Sequence, residues 1–399
     1  MNLLPVQKDI IIVVYVLSTY QLFESALVIS LMEKELNTNV KTVLICHESV
    51  ERVSCYYNME IWDTVIKLSG YSWFSPGSIN DLLNIKQWYR RNREALNQVE
   101  NVKAIKRANF FIYSNGDTVL VNKFIDMHPE AIIVNVSDGA AAYVGISKEP
   151  IGKKNIIKKI IINLHYKILS MLFSCKLSPS VMTNIYGNSS TNVYWDFNVD
   201  MVHETCAQNR IVIGRPLSEL KSFYKDIFNF DNIKFPAIKG KSVIFLSNLF
   251  SDGAWKLCSE TDEINFNIKY LEPFIKNGYQ VFVKPHPKEN MDKLKKMGAH
   301  VEVLDHLRDA PFEVLVNEEK YDYIVSVGST AMINAINLQM AHNYVILDNI
   351  FCNEVPLLRE YTNFAEYVFA NDEKNVYCPV NLKDLIKIIE QNEDEENGV

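Results

Sequence analysis

The sequence predicts an α/β protein of two Rossmann-like, doubly wound domains facing across a cleft. Apolar, β-favouring runs alternate with segments of helical periodicity, which implies parallel sheets with crossover helices. The alternation occurs twice, over residues 9–136 and 242–347, with an irregular polar stretch between. With 399 residues, 48% of them hydrophobic, the chain is long enough for two separate cores. The expected boundaries are a first domain over 1–180, a connector over 181–240, a second domain over 241–385 and an acidic, disordered tail over 386–399.

Residues 9–17 read as a strand, too short to span a bilayer and without a small-residue cleavage site. Residues 21–35 read as a helix, with Leu22, Ala26, Ile29 and Met32 at helical spacing. A strand over 41–46, a polar helix over 80–99 and strands over 109–113 and 131–136 complete the first half. The segment 148–176 is a cationic amphipathic helix. Lys148, Lys153, Lys154, Lys158, Lys159, Lys167 and Lys176 are opposed there only by Glu149 and interleave with isoleucine, leucine and phenylalanine. Such a helix either lies on an anionic membrane or polyanion or is a solvated domain face. In the second half, strands are expected over 242–246, 279–283, 300–303, 323–327 and 344–347, and helices over 263–277, 288–297, 311–318 and 331–338.

The net charge of −7 argues against general nucleic-acid binding, which needs a basic field. Seven cysteines without a C-x-x-C pair form neither a disulfide framework nor a zinc site, and suit a reducing cytoplasm. Neither a P-loop nor a G-x-G-x-x-G fingerprint is present.

Three loops can carry chemistry. In Lys284-Pro285-His286-Pro287, a strand stops at a stiff turn and presents a histidine, with a lysine beside it, where ligands meet open sheets. Protonated, that histidine would offer two donors to an anion; otherwise it is an idle loop residue. In Gly328-Ser329-Thr330, a strand runs into a helix, so hydroxyls and free N–H groups crowd a helix N-terminus. That arrangement serves either phosphate binding or ordinary capping. In Ser137-Asp138-Gly139, a carboxylate follows a strand and could take a proton from a hydroxyl nucleophile, unless the pair is a plain Asp-Gly turn. Two loops gripping a donor phosphate and one carboxylate activating an acceptor hydroxyl describe a two-domain glycosyltransferase.

These motifs, in this order, resemble those of the bacterial sialyltransferases of GT-B fold, the group of lipooligosaccharide sialyltransferases and capsular polysialyltransferases. Ser137-Asp138-Gly139 is similar to their acidic motif, Pro285-His286-Pro287 to their HP motif and Gly328-Ser329-Thr330 to their Ser/Thr motif. Ala310-Pro311-Phe312-Glu313 and Ser18-Thr19-Tyr20-Gln21 also resemble family segments, so the resemblance runs from residue 9 to about 350. Ser137 departs from it, since an acid is usual there.

The resemblance implies inverting transfer of sialic acid from CMP-sialic acid to a hydroxyl of a cell-surface glycan, lipooligosaccharide or capsular polysialic acid, with no obligatory metal. It makes Asp138 the general base and His286 the group that stabilises the departing CMP phosphate. Ser329, Thr330, Gly328 and Lys284 would sit at the phosphate, and Glu313 at the cytidine ribose. It also implies a cytoplasmic enzyme, peripheral at the inner face of the membrane. The residues alone permit two alternatives. One is a transferase for another donor, a CDP-polyol or UDP-sugar; the other is a silent CMP- or sugar-binding subunit of a capsule assembly complex.

Overall fold

The computed structural model describes residues 9–36, 39–68, 84–114, 118–136, 160, 163–164, 167–175, 191–202, 210–251, 258–315, 320–354 and 375–397. The chain divides into two compact units, Met1–Phe230 and Asp231–Val399. Among the described residues each unit holds one parallel sheet, of seven strands in the first and six in the second.

In the first unit the strands are β1 (Ile10–Val16), β2 (Val40–His47), β3 (Thr64–Leu68), β4 (Phe110–Tyr113), β5 (Ile132–Val136), β6 (Val193–Trp195) and β7 (Ile211–Ile213). They lie in the order β3-β2-β1-β4-β5-β6-β7. All seven residues of β1 are buried, as expected of a central parallel strand covered on both faces. Helices α1 (Thr19–Leu36), α2 (Ile85–Glu100) and α3 (Val119–Met127) connect the strands. The Thr118 hydroxyl caps α3 by accepting from the Val121 N–H.

Residues 191–230, expected as irregular connector, instead complete the first unit. β6 and β7 extend its sheet, and residues 217–228 cover α1, where Phe228 stacks on Phe23 at 5.7 Å and Tyr224 meets it edge-on at 5.8 Å. This cover explains why Gln21 through Leu31 of α1 are buried all round. Three-residue strands and aromatic packing leave no periodicity to read.

The second unit holds β8 (Ser242–Leu246), β9 (Gln280–Lys284), β10 (Val301–Val303), β11 (Tyr321–Ser326), β12 (Ala341–Ile346) and β13 (Val376–Tyr377), in the order β10-β9-β8-β11-β12-β13. Its helices are α4 (Glu260–Lys276), α5 (Met291–Lys295), α6 (Thr330–Asn337), α7 (Asp348–Glu354) and α8 (Leu382–Asn397). The expected disordered tail is corrected here, because α8 runs through it to Asn397. Leu385 and Ile389 are fully buried in the core, and Asn392 bridges the Tyr323 and Tyr377 hydroxyls at 2.8 and 3.1 Å. The helix expected over 288–297 shortens to α5, since the residues before it are held in a turn described below. That expected over 311–318 is one 3-10 turn, Phe312–Leu315, with 316–319 outside the described residues.

Candidate functional site

Both sheets share one winding. The chain moves outward from β1 or β8 in one direction, then returns and continues on the other side, placing a switch point between β1 and β4 and between β8 and β11. Ligands of open α/β sheets sit at the carboxyl edge of such a point, where the outgoing loops diverge. In the second unit β9, β8 and β11 are consecutive parallel neighbours, so the segments that follow them leave from one edge. After β8 come Ser247 and Asn248, after β9 the Pro-His-Pro turn, and after β11 Gly328-Ser329-Thr330. Sequence reasoning missed the pair after β8, which ties the three together. The Ser247 hydroxyl donates to Glu289 Oε1 at 2.7 Å, and Asn248 Nδ2 to the Val327 carbonyl at 3.0 Å.

His286 is partly exposed on its turn. Its Nδ1 accepts the Lys288 N–H at 3.2 Å, so the neutral ring carries its proton on Nε2. Burial, reinforced by the positive charges of Lys284, Lys288 and Lys293, pulls its pKa down to about 4. The two-donor state considered from the sequence would need the ring to be protonated. At neutral pH the ring offers one donor, Nε2–H, rather than two.

Lys284, expected at the phosphate, ends β9 with 5% exposure. Its Nζ donates to the Pro285 and Arg308 carbonyls at 3.0 and 3.1 Å, and burial lowers its pKa to about 8 against the pull of Glu313, Asp309 and Glu289. Its described contacts thus pin the turn. Glu313 has 2% exposure and accepts from Asn334 Nδ2 of α6 at 2.6 Å. Burial raises its pKa, and the Asn334 bond works against that rise. Glu313 therefore sits beneath the helix that Ser329 and Thr330 begin.

Gly328 takes φ 59°, a left-handed conformation that suits glycine, and lets the chain turn sharply from β11 into α6. Ser329 is the N-cap, its Oγ accepting the Ala331 N–H at 3.3 Å, so capping is a role this structure gives it. Its O–H stays a donor. The structure thus brings His286, Ser329 and Thr330 to one sheet edge, with Lys284 and Glu313 behind them.

Asp138, with Ser137 and Gly139, lies outside the described residues, just past the end of β5. That end is braced by Asn135, whose Nδ2 donates to the Tyr113 and Ser114 carbonyls at 3.1 and 2.9 Å.

Comparison with solved structures finds the same fold. The α/β-galactoside α-2,3-sialyltransferase of the luminous marine bacterium Photobacterium phosphoreum is 16% identical, with a TM-score of 0.52 over 94% of this chain and 99% of that one. CalG4, the calicheamicin glycosyltransferase, is 10% identical, with a TM-score of 0.50 over 97% of this chain and 90% of that one. At such identities the similarity speaks to architecture, and that architecture is the GT-B arrangement of two parallel-sheet α/β domains. A search of curated protein sequences finds no match. The family model described as alpha-2,8-polysialyltransferase (POLYST) matches residues 11–345, a span that holds all three motif loops. The chain belongs to the alpha-2,8-polysialyltransferase family and is a sialyltransferase of GT-B fold.

Proposed function

We propose that the protein transfers sialic acid from CMP-sialic acid to a hydroxyl of a cell-surface glycan, with inversion and without an obligatory metal. The observation that carries this is the His286 ring, whose Nδ1 takes the Lys288 N–H and so leaves Nε2–H as the donor, at the same sheet edge as the start of α6.

The acceptor oxygen attacks the anomeric carbon of sialic acid as the bond from that carbon to the CMP phosphate breaks. The electron pair leaves on the phosphate oxygen, where charge grows. His286 Nε2–H donates there, and the N–H groups that begin α6, with the Ser329 hydroxyl, hold the phosphate. Asp138 takes the acceptor proton, so the products are the sialoside, CMP and one proton. A single displacement inverts the anomeric configuration. Lys284 and Glu313, both buried behind these loops, keep the donor loops in register.

Acceptor-dependent release of CMP from CMP-sialic acid tests the reading. Turnover of a UDP- or CDP-linked donor in its place would overturn it.

We extend the proposal to an acceptor anchored in an anionic membrane, reached through the lysine-rich sequence of 148–176. Residues 167–173 are helical, and Ile160, Leu164, Met171 and Leu172 are 48–66% exposed while Leu169 and Phe173 face the core. Lys153, Lys154, Lys158 and Lys159 lie outside the described residues. No helix among the described residues is long and apolar enough to cross a membrane, so the attachment we propose is to the membrane surface. Each lysine near an anionic leaflet contributes about 1 kcal/mol, screened by salt. The protein should pellet with phosphatidylglycerol vesicles at low salt and release as salt rises. Changing those four lysines to glutamine should abolish pelleting and spare activity on a small soluble acceptor. Wild-type protein that stays in the supernatant at low salt would contradict the attachment.

A further inference from the structure

Behind the Pro-His-Pro turn lies a buried charge cluster that the reaction as described does not use. Lys293 of α5 is 0% exposed, Glu263 of α4 is 1% exposed and Glu289 is 4% exposed. The Lys293 ammonium meets Glu289 Oε1 at 2.8 Å and Glu263 Oε2 at 3.1 Å. Glu263 Oε2 also accepts the Ser251 N–H at 2.9 Å. Three charges this deep are held only because each has oppositely charged and hydrogen-bonding partners.

Glu289 is where the cluster meets the turn. Its Oε1 takes Lys293 and the Ser247 hydroxyl, while its Oε2 accepts the His286 N–H at 3.0 Å. Its own N–H donates to the His286 carbonyl at 2.9 Å. Both backbone polar groups of His286 are therefore bonded to one residue. The flanking prolines fix their own φ but leave the peptide planes about His286 free to rock. The Glu289 bonds restrain that motion on both sides of His286, alongside the Lys284 bond to the Pro285 carbonyl, and Lys293 and Glu263 keep Glu289 from moving with it.

We propose that Glu289, clamped by Lys293 and Glu263, is the positioning residue for His286: it fixes the backbone of the turn so that Nδ1 stays on the Lys288 N–H and Nε2–H stays aimed outward. The role rests on the function proposed above for His286, and its test separates the two.

Glu289→Gln keeps the shape but must turn its NH2 either to the Lys293 ammonium or to the His286 N–H, so one donor loses its acceptor. Glu289→Asp keeps a carboxylate opposite Lys293, which protects folding, but withdraws it from the His286 N–H. Both should lower kcat for CMP release about ten- to a hundred-fold while changing the KM for CMP-sialic acid less than about threefold, a transition-state effect. In a His286→Ala background the same changes should cost less than about twofold, because a residue acting through His286 has nothing left to position. An equal loss in both backgrounds, or unchanged kcat in either single variant, would overturn the proposal.

A second readout needs no donor. With histidine labelled in 15N, and the His286 signal assigned by its loss in His286→Ala, wild-type protein should show an unprotonated Nδ1 and a protonated Nε2. Glu289→Asp should shift that ring toward a tautomer mixture. If wild-type protein releases no CMP, the proposed reaction fails, and the nitrogen shifts still decide whether Glu289 positions His286. Identical shifts in the two proteins would reject it.

Discussion

His286→Ala should lower kcat for CMP release by about a hundred- to a thousand-fold, the expected size for one lost donor to a developing oxyanion. The fold should survive. The side chain is partly exposed on a turn, and the backbone of that turn keeps its Glu289 and Lys284 bonds when the imidazole, with its bond from the Lys288 N–H, is removed. The melting temperature should therefore move little, as for a surface substitution. The protonation state gives the prediction a second edge. With a pKa drawn down to about 4, His286 of the free enzyme stays neutral as pH falls from 8 to 5. The kcat/KM profile, which reports the free enzyme, should thus lack an inflection from this residue near 6.5. Near-normal kcat in His286→Ala would remove the donor from the mechanism.

Asp138→Asn should cost about a hundred- to ten-thousand-fold in kcat, since an amide of the same shape cannot take a proton. The deficit should narrow as pH rises, because the acceptor hydroxyl then needs less help to ionise. Donor binding should persist, since the phosphate contacts proposed above come from the other unit. Full activity in this variant, alongside an inactive substitution of Glu149, would move the base to that residue.

How much of this could be read from the sequence follows from what each feature depends on. β1, β8, β9 and β11 announce themselves because strands buried on both faces are continuous apolar runs. β6 and β7 do not, being three residues each and held by neighbours distant in sequence. The His286 turn and the start of α6 were legible because proline and glycine act locally. Glu289 was not. It follows His286 by three residues, a spacing that allows its carboxylate to reach back, but its meaning comes from Lys293, Ser247 and Glu263, which only the fold assembles. The protonation of His286 and the burial of Lys284 were hidden for the same reason. Desolvation is a property of packing, which buries Lys284 and partly buries His286 only once the sheet has formed. α8 was misread because its acidic end outweighs two buried residues, Leu385 and Ile389, in any compositional view.

The most direct measurement is turnover of CMP-sialic acid by the purified protein against lactose-terminated and oligosialic acceptors, reading CMP release together with the anomeric configuration of the product. The account predicts acceptor-dependent release and a sialoside whose anomeric configuration is opposite to that of the donor. Binding of CMP without release on any acceptor, or a product that retains the donor configuration, would contradict it.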